Sequence, residues 1–357
     1  MMCFRFALEP YMGIRSHLQR SGMACPSMEF GVCGLDVTCS KETLRRVMTP
    51  PPKCRVVPVA AFQLAYQGFP WQPALGYEPG SPLKGRRYPN GEAYPAWHEI
   101  DDMIESMPAG TRLAFHLNET DKYPYVSSLL QGVDDFLRLV DVLCNKYNAR
   151  HIQININARG VPPQLFTTPG AESAKSAQQI ARLANQYPQS LFLVAVFQRK
   201  DADGTVLSDS WPFMRAVLES SAAQSSERQP ARNIVPFFDN SAGTGTSPDI
   251  VPEMPNEFLR REGQTVGMTG GINASNVKDW LTKYAAKAGE HGYGCISDAM
   301  TGFRESKDRG KPIVEKALED LMKNVYEWGK LDPAAGYADQ NSARPRAPLC
   351  SADAAEF

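Results

Sequence analysis

Short apolar segments alternate with amphipathic ones along most of this 357-residue chain. This order predicts an α/β fold, a single (β/α)8 TIM barrel with disordered N- and C-terminal extensions. Two further observations favour it. Hydrophobic residues make up 43% of the chain, which is ample for one large core, and the glycine-rich loops come late, where barrels often hold phosphate. A doubly wound open sheet is the alternative, but no Gly-x-Gly-x-x-Gly motif follows an early strand.

The expected strands are short segments that either alternate in polarity or are apolar throughout, and each runs into a loop. His151–Asn155 alternates, as a strand with one polar face does, whereas Leu191–Phe197 is continuously apolar, as a strand buried on both faces is. In chain order the strands are expected at Phe30–Leu35, Arg55–Gln63, Arg112–Leu117, His151–Asn155, Leu191–Phe197, Ile234–Phe238, Thr265–Thr269 and Gly294–Ser297.

The expected helices follow these strands and carry an apolar stripe with helical spacing. Ser40 is a suitable N-cap for the first helix, and three consecutive prolines at 50–52 end it. Pro312 would occupy the first position of the last helix. In order, the helices are expected at Lys41–Met48, Trp97–Met107, Val133–Lys146, Ser173–Tyr187, Trp211–Ser220, Val277–Lys287 and Pro312–Trp328.

Three regions are expected along the chain: residues 1–28, a barrel over 29–330, and a tail over 331–357. The first region has three arginines, one acid and no long hydrophobic stretch, so it is not a secretory signal. It is a weak organellar presequence, a disordered extension, or sequence upstream of the true start at Met23 or Met28. The tail is rich in Ala, Pro, Ser and Asp, which predicts disorder.

Charge and cysteine usage restrict the partners of the chain. The formal net charge is −1 and the pI is about 6.5, without a dense basic patch, so neither nucleic acid nor a membrane is an expected partner. No apolar run approaches the roughly 20 residues that span a bilayer. The eight cysteines contain no Cys-x-x-Cys pair and are expected to be reduced thiols in a cytoplasmic protein. The oligomeric state cannot be predicted.

Two segments of the second half carry most of the functional information. Phe237–Gly245 runs from apolar residues through Asp239 into a Gly-x-Gly loop, and Met268–Val277 ends a strand in Gly-Gly-Ile-Asn before a helix. Backbone N–H groups of glycine loops at helix starts bind phosphate well. The expected partner is therefore a small phosphorylated substrate.

With these strands placed, the chain resembles phosphoribosylanthranilate isomerase, a barrel enzyme of tryptophan biosynthesis. The first-strand motif Lys-Ile-Cys-Gly of that family corresponds to 31–34, Gly-Val-Cys-Gly. The sixth, Leu-Leu-Asp-Ser with Gly-x-Gly, corresponds to 238–245, and the seventh, Ala-Gly-Gly-Leu, to 269–272. The chain departs from the family in three places. It has Gly31 where the family has lysine, Arg304 where the family has the final Glu of strand eight, and Gln153-Ile154-Asn155 where the family has Gln-Leu-His-Gly. The phosphate-binding motifs match the family better than the motifs that would recognise the rest of its substrate. A related but different substrate is therefore an alternative.

The resemblance implies an isomerase that needs no cofactor and no metal and converts an aldose derivative to a ketose by general acid–base catalysis. It implies that Asp239 is the acid and Cys33 the base. The residues implied or expected to bind phosphate or substrate are Gly243, Thr244, Gly245, Gly270, Gly271, Asn273, Thr301, Gly302, Gln153 and Arg87.

Each of these residues also has a purely structural interpretation. Cys33 would be a small core residue, Asp239 a loop cap and Gln153 a hydrogen-bonding group of the core. The glycines would be turn residues at positive φ, Asn273 a helix cap and Arg87 a solvated side chain.

Other functions stay open beside the isomerase. An epimerase or aldolase is one alternative, although an aldolase needs a Schiff-base lysine at a strand end, where only Lys200 comes near. A barrel that binds a phosphorylated ligand without turnover is another. His116 and Glu119 suggest a metal pair at first, but no second ligand cluster in the sequence supports it.

Overall fold

The structure is a computed structural model of the chain. It describes residues 28–65, 68–71, 94–119, 124–155, 170–200, 206–208, 210–226, 229–239, 251–255, 258, 264–307 and 311–330. Within these ranges no helix is both long and apolar enough to cross a membrane.

Eight parallel strands close into a barrel. In chain order, the strands of the described residues are β1 Met28–Cys33, β2 Val56–Leu64, β3 Arg112–Leu117, β4 His151–Ile154, β5 Leu191–Val196, β6 Gln198–Lys200, β7 Val206–Ser208, β8 Ile234–Asp239, β9 Thr265–Thr269 and β10 Gly294–Ala299. Around the barrel their order is β1-β10-β9-β8-β5-β4-β3-β2, while β6 and β7 form a separate antiparallel pair. The predicted (β/α)8 barrel is confirmed.

Helices surround the barrel and cover its outer face. Those of the described residues are α1 Lys41–Val47, α2 Trp97–Ser106, α3 Tyr125–Gln131, α4 Asp134–Asn145, α5 Ala171–Gln186, α6 Trp211–Gln224, α7 Val277–Gly289 and α8 Glu315–Lys330. Ser40 caps α1 as its sequence predicts, because its side chain accepts a hydrogen bond from the Thr43 N–H at 3.2 Å.

The predicted start of the last helix at Pro312 is wrong. The Ile313 N–H donates to Thr38 Oγ1 at 2.9 Å, and the Val314 N–H donates to the Phe303 carbonyl at 2.9 Å. The first N–H group faces the loop after β1 and the second faces the loop after β10, so the helical backbone begins only at Glu315.

The barrel interior is layered, as expected when alternate residues of each strand point inward. At the amino-terminal end the buried Glu29 carboxylate meets three basic side chains: Arg112 Nη1 at 2.6 Å, Arg150 Nη2 at 2.9 Å and His151 Nε2 at 2.7 Å. Beside this ion cluster lies an apolar cluster made of Leu191, Leu193, Val235, Phe237 and Ile296, in which Ile296 pairs with Glu29 and Leu191 with His151. The carboxyl-terminal end is polar, and it holds the candidate site.

Candidate active site

Polar side chains project inward where the barrel strands end. By alternation from the interior layers, seven strands contribute to this ring: Cys33, Gln63, His116, Gln153, Asp239, Thr269 and Asp298. All but Asp239 and Asp298 are at least nine-tenths buried. Chemistry in β/α barrels is carried by this end of the strands. The ring is therefore the candidate active site.

Cys33 lies at the centre of the described contacts. Its Sγ is 3.2 Å from His116 Nδ1 and 3.9 Å from Nε2, and it accepts a hydrogen bond from Gln63 Nε2 at 3.0 Å. It packs against Val59, Ala61 and Ala114 of neighbouring strands, so it points into the barrel and not into the helix layer. A cysteine beside an imidazole can pass its proton to that ring, and the thiolate is then the reactive form.

A chain of four amides leads to this sulfur. Gln153 Nε2 donates to Asn155 Oδ1 at 2.8 Å, Asn155 Nδ2 to Asn118 Oδ1 at 2.7 Å, and Asn118 Nδ2 to Gln63 Oε1 at 2.6 Å. Asn118 Nδ2 also lies 3.1 Å from the His116 carbonyl, which fixes the direction of its amide. Gln63 must then turn its N–H toward Cys33, and a hydrogen bond donated to sulfur favours the thiolate.

Gln153 stands at the far end of the amide chain. Its side chain is 7% exposed, and its Oε1 is buried and without a hydrogen-bond partner. A buried orphan acceptor is uncommon in folded proteins. Gln153 therefore takes part in core hydrogen bonding through Nε2, and its Oε1 remains available to a donor.

Asp298 is held beside Cys33 and His116 by its neighbours. Thr269 Oγ1 donates to Asp298 Oδ1 at 2.6 Å and lies 2.8 Å from the Asp298 carbonyl. Gly31 pairs with Asp298 across the β1–β10 ladder, and a Cβ added at Gly31 would lie 2.9 Å from the Asp298 Cβ. The glycine that replaces the lysine of the resembled family thus leaves the space that Asp298 occupies.

The predicted phosphate loops after β9 and β10 lie side by side. Gly270 and Gly271 have φ values of 131° and 52°, which explains why these positions are glycine. Gly302 bridges to Asn273, and a Cβ at Gly302 would lie 2.1 Å from the Ile272 carbonyl oxygen. The two loops therefore touch through backbone, which brings their N–H groups close together.

Asn273 organises its own turn. Its Oδ1 accepts from the Ser275 N–H at 2.9 Å and from Ser275 Oγ at 2.6 Å, and its carbonyl accepts from the Val277 N–H at 3.0 Å. The N-cap position of α7 is Asn276. Asn273 shapes the start of the helix without being its N-cap residue, and a ligand role for its side chain stays a prediction.

A buried ion pair ties the loop after β10 to the loop after β1. Arg304 Nη2 lies 2.8 Å from Asp36 Oδ2 and donates to the Gly34 carbonyl, while Nη1 donates to the Lys311 carbonyl at 2.7 Å. The Arg304 N–H also donates to the Thr301 carbonyl at 3.1 Å. Arg304 holds these loops in position, and the buried Thr301 sits within the turn that it closes.

Asp239 ends β8, three strands from β1 around the barrel, and is only partly buried. Of the two phenylalanines that precede it, only Phe237 shares its face, because Phe238 points outward and stacks on Trp211 with ring centroids 6.5 Å apart. An apolar wall beside the carboxyl group can therefore come from Phe237 and not from Phe238.

Four predicted substrate contacts, Gly243, Thr244, Gly245 and Arg87, lie outside the described residues. Glu119 is described, and its carboxylate accepts the N–H groups of Val126 at 2.8 Å and Ser127 at 3.0 Å at the start of α3. It faces that helix, so it does not form a pair with His116.

Sequence reasoning missed the contributions of Gln63, His116, Thr269 and Asp298. A usable signal was present, because each is a polar residue at an inward position near the end of a predicted strand. Such positions are where barrel enzymes keep reactive groups. For Asp298 the signal was hidden because the strand was expected to stop at Ser297, one residue earlier.

No protein-family model and no curated protein sequence matches the chain. Solved structures similar to it include a phosphoribosyl anthranilate isomerase from Thermus thermophilus, with 13% identity, coverage of 84% of this chain and 99% of that one, and a TM-score of 0.41. The homocysteine methyltransferase MmuM from Escherichia coli has 10% identity, coverages of 85% and 97%, and a TM-score of 0.36. The GH53 catalytic domain of Ignisphaera aggregans has 10% identity, coverages of 87% and 98%, and a TM-score of 0.45.

These proteins are named for different activities. At such identities and scores the similarity carries no argument about what this chain does, and the fold itself rests on the closed barrel.

Proposed function

We propose that the protein is an isomerase that converts a phosphorylated aldosylamine to the corresponding ketose derivative. The observation that carries the proposal is the contact of 3.2 Å between Cys33 Sγ and His116 Nδ1 at the catalytic end of the barrel. A thiol that passes its proton to a neighbouring imidazole becomes a thiolate, which Gln63 stabilises by donating to the sulfur and which can take up a proton from carbon.

In the proposed reaction Asp239 protonates the ring oxygen of the furanose, and the C1–O bond breaks to give an open-chain Schiff base. The Cys33 thiolate then removes the proton from C2, and the electron pair moves to give an enamine. Tautomerisation of the enol form moves the proton on O2 to C1 and gives the ketone, so no electrons are gained or lost overall. The proton that Cys33 took from C2 passes through solvent to Asp239, which returns both groups to their starting states. His116 holds the original thiol proton while the sulfur acts as a thiolate.

The substrate's phosphate would lie at the two touching loops. Gly270, Gly271 and Gly302 have no side chains that could block a close approach, and backbone N–H groups before α7 favour an anion. This end is also where the sequence matches the resembled family best. The chain departs from the resembled family at Gly31 and Arg304, in the part of the site that would hold the rest of the substrate. The proposal therefore does not specify which group the substrate carries on its amine.

Two rival functions are less well supported. An aldolase would place a lysine at a strand end, and none of the eight described barrel strands ends in lysine. A barrel that only binds its ligand would not require the inward direction of Cys33 or the amides that lead to it. The contacts of Cys33 therefore favour turnover.

The test is turnover of phosphoribosylanthranilate, followed by the loss of its fluorescence, by wild type, Cys33→Ala and Asp239→Asn. Each substitution should lower kcat by about 10²–10⁴-fold, the usual contribution of one proton-transfer group. Matched controls are Cys144→Ala, a buried cysteine in α4, and Asp141→Asn on the same helix, and both should keep the wild-type rate.

A wild-type rate that survives both site substitutions would exclude the assigned roles. No turnover of this substrate or of other phosphoribosylamines, together with no rise in Tm on adding inorganic phosphate, would reject the proposed function as a whole.

A further inference from the structure

Cys33, His116 and Asp298 together have the composition of a metal site. Each offers one ligand atom, and these atoms all lie within 4.8 Å of one another. Thiolate, imidazole and carboxylate are the three protein ligands of Zn²⁺, and a site with three of them leaves a fourth position for water or substrate. Nothing else in the described residues brings three such groups together.

The three ligands stand on rigid elements. Cys33 ends β1, Asp298 lies on β10 next to it, and His116 lies on β3, so all three are fixed by the barrel ladder. Tetrahedral zinc requires ligand atoms about 3.3–3.8 Å apart, given bond lengths near 2.0–2.3 Å. Cys33 Sγ and His116 Nδ1 are already 3.2 Å apart, and no two of the three ligand atoms are more than 4.8 Å apart, so side-chain rotations that move atoms by about 1 Å bring the widest pair into this range.

The residues around these ligands also fit the needs of a metal site. Thr269 Oγ1 donates to Asp298 Oδ1, and Gln63 Nε2 donates to Cys33 Sγ. Hydrogen bonds of this kind orient ligands and are a regular feature of metal centres. Gly31 contributes by the absence of a side chain, because a Cβ there would press on Asp298.

We propose that Cys33, His116 and Asp298 bind a thiophilic divalent cation of the Zn²⁺ class. Binding replaces the thiol proton, which is released to solvent as the sulfur–metal bond forms, so no oxidant or reductant takes part. The bound sulfur shares one lone pair with the metal and becomes much less basic, so it is a poor acceptor for a proton from carbon. If the protein is the isomerase proposed above, the metal is an inhibitor that competes with catalysis. The binding itself does not depend on that function.

The test uses the full chain, treated with chelator and titrated with Co²⁺, whose bond to a thiolate gives a charge-transfer absorption. Wild type should bind about one Co²⁺ per chain with this absorption, and Zn²⁺ should displace it. Cys33→Ala should lose the absorption, and His116→Ala and Asp298→Asn should lose stoichiometric binding. Thr269→Val, which removes only an orienting hydrogen bond, should weaken binding by about 10–100-fold.

Cys144→Ala is the matched control. Burial raises the pKa of the Cys144 thiol to about 11, so that thiol stays protonated and its removal should leave the titration unchanged. Each variant is first checked for a cooperative thermal transition, and Thr269→Val keeps the test decisive if a ligand variant does not fold.

Wild type without the thiolate absorption would overturn the proposal, and so would an absorption that persists in Cys33→Ala. The isomerase test is run in chelator and the metal titration without substrate. A negative result for isomerase activity therefore does not contradict the metal site, and a negative result for metal binding does not contradict the isomerase.

Discussion

The buried Glu29 should make the stability of the barrel depend on pH in a defined window. Burial raises the pKa of Glu29, but the hydrogen bonds and charges of His151 and Arg150 outweigh it and hold the pKa at about 2, against an ordinary value of 4.5. A folded pKa below the unfolded one adds stability that is present above pH 4.5 and lost as the pH falls toward 2. A shift of about 2.5 units corresponds to roughly 3 kcal/mol.

Urea unfolding of wild type and Glu29→Gln at several pH values should reveal this contribution. At pH 6 we expect the variant to be less stable by about 3 kcal/mol or more, because removing one member of a buried ion cluster leaves the others uncompensated. The difference should shrink by about 3 kcal/mol as the pH falls toward 2, because the wild-type carboxylate then becomes neutral like the glutamine.

Glu42→Gln is the control, since that side chain is 84% exposed, and its difference from wild type should stay small at every pH. A Glu29→Gln difference that stays constant through the acid window would refute the reasoning, because it would show that the carboxylate is not stabilised in its charged form.

Two further predictions concern close packing and the ion pair between loops, and both are measured by urea unfolding. In Gly267→Ala the new Cβ would lie 2.0 Å from Phe237 Cδ2, so stability should fall by about 1–3 kcal/mol, and Phe237→Leu in the same chain should recover part of it. Strictly additive effects would contradict this contact. Arg304→Met leaves the buried Asp36 carboxylate without its partner and should cost about 3–5 kcal/mol, much of which Asp36→Asn should restore. If the double variant is no more stable than Arg304→Met alone, the pair does not hold these loops.

The barrel was predictable because its strands are marked by local patterns. Arg112–Leu117 and Thr265–Thr269 were predicted to the residue, since each is bounded by turn-forming or polar sequence. The helix Tyr125–Gln131 was not predicted. It is only seven residues long, and Glu119 stabilises its start by accepting backbone N–H groups, which is a tertiary effect.

The site was predictable only in part. Cys33 was identified from its motif, and its inward direction follows from strand alternation. Its partners were not identified, because Gln63, His116 and Asp298 lie 30 to 265 residues away and meet it only when the barrel closes. Local sequence patterns carry no information about which strand ends face each other.

The layered interior has a consequence for the path of any ligand. Glu29 with its basic partners and the apolar cluster beside it fill the lower barrel, so a ligand can reach the ring of polar side chains only from the carboxyl-terminal end of the strands. A ligand must therefore leave through the same rim by which it entered. Product that lingers at the rim excludes the next substrate, so a turnover rate limited by departure would respond to changes in the rim loops and not to changes at Cys33.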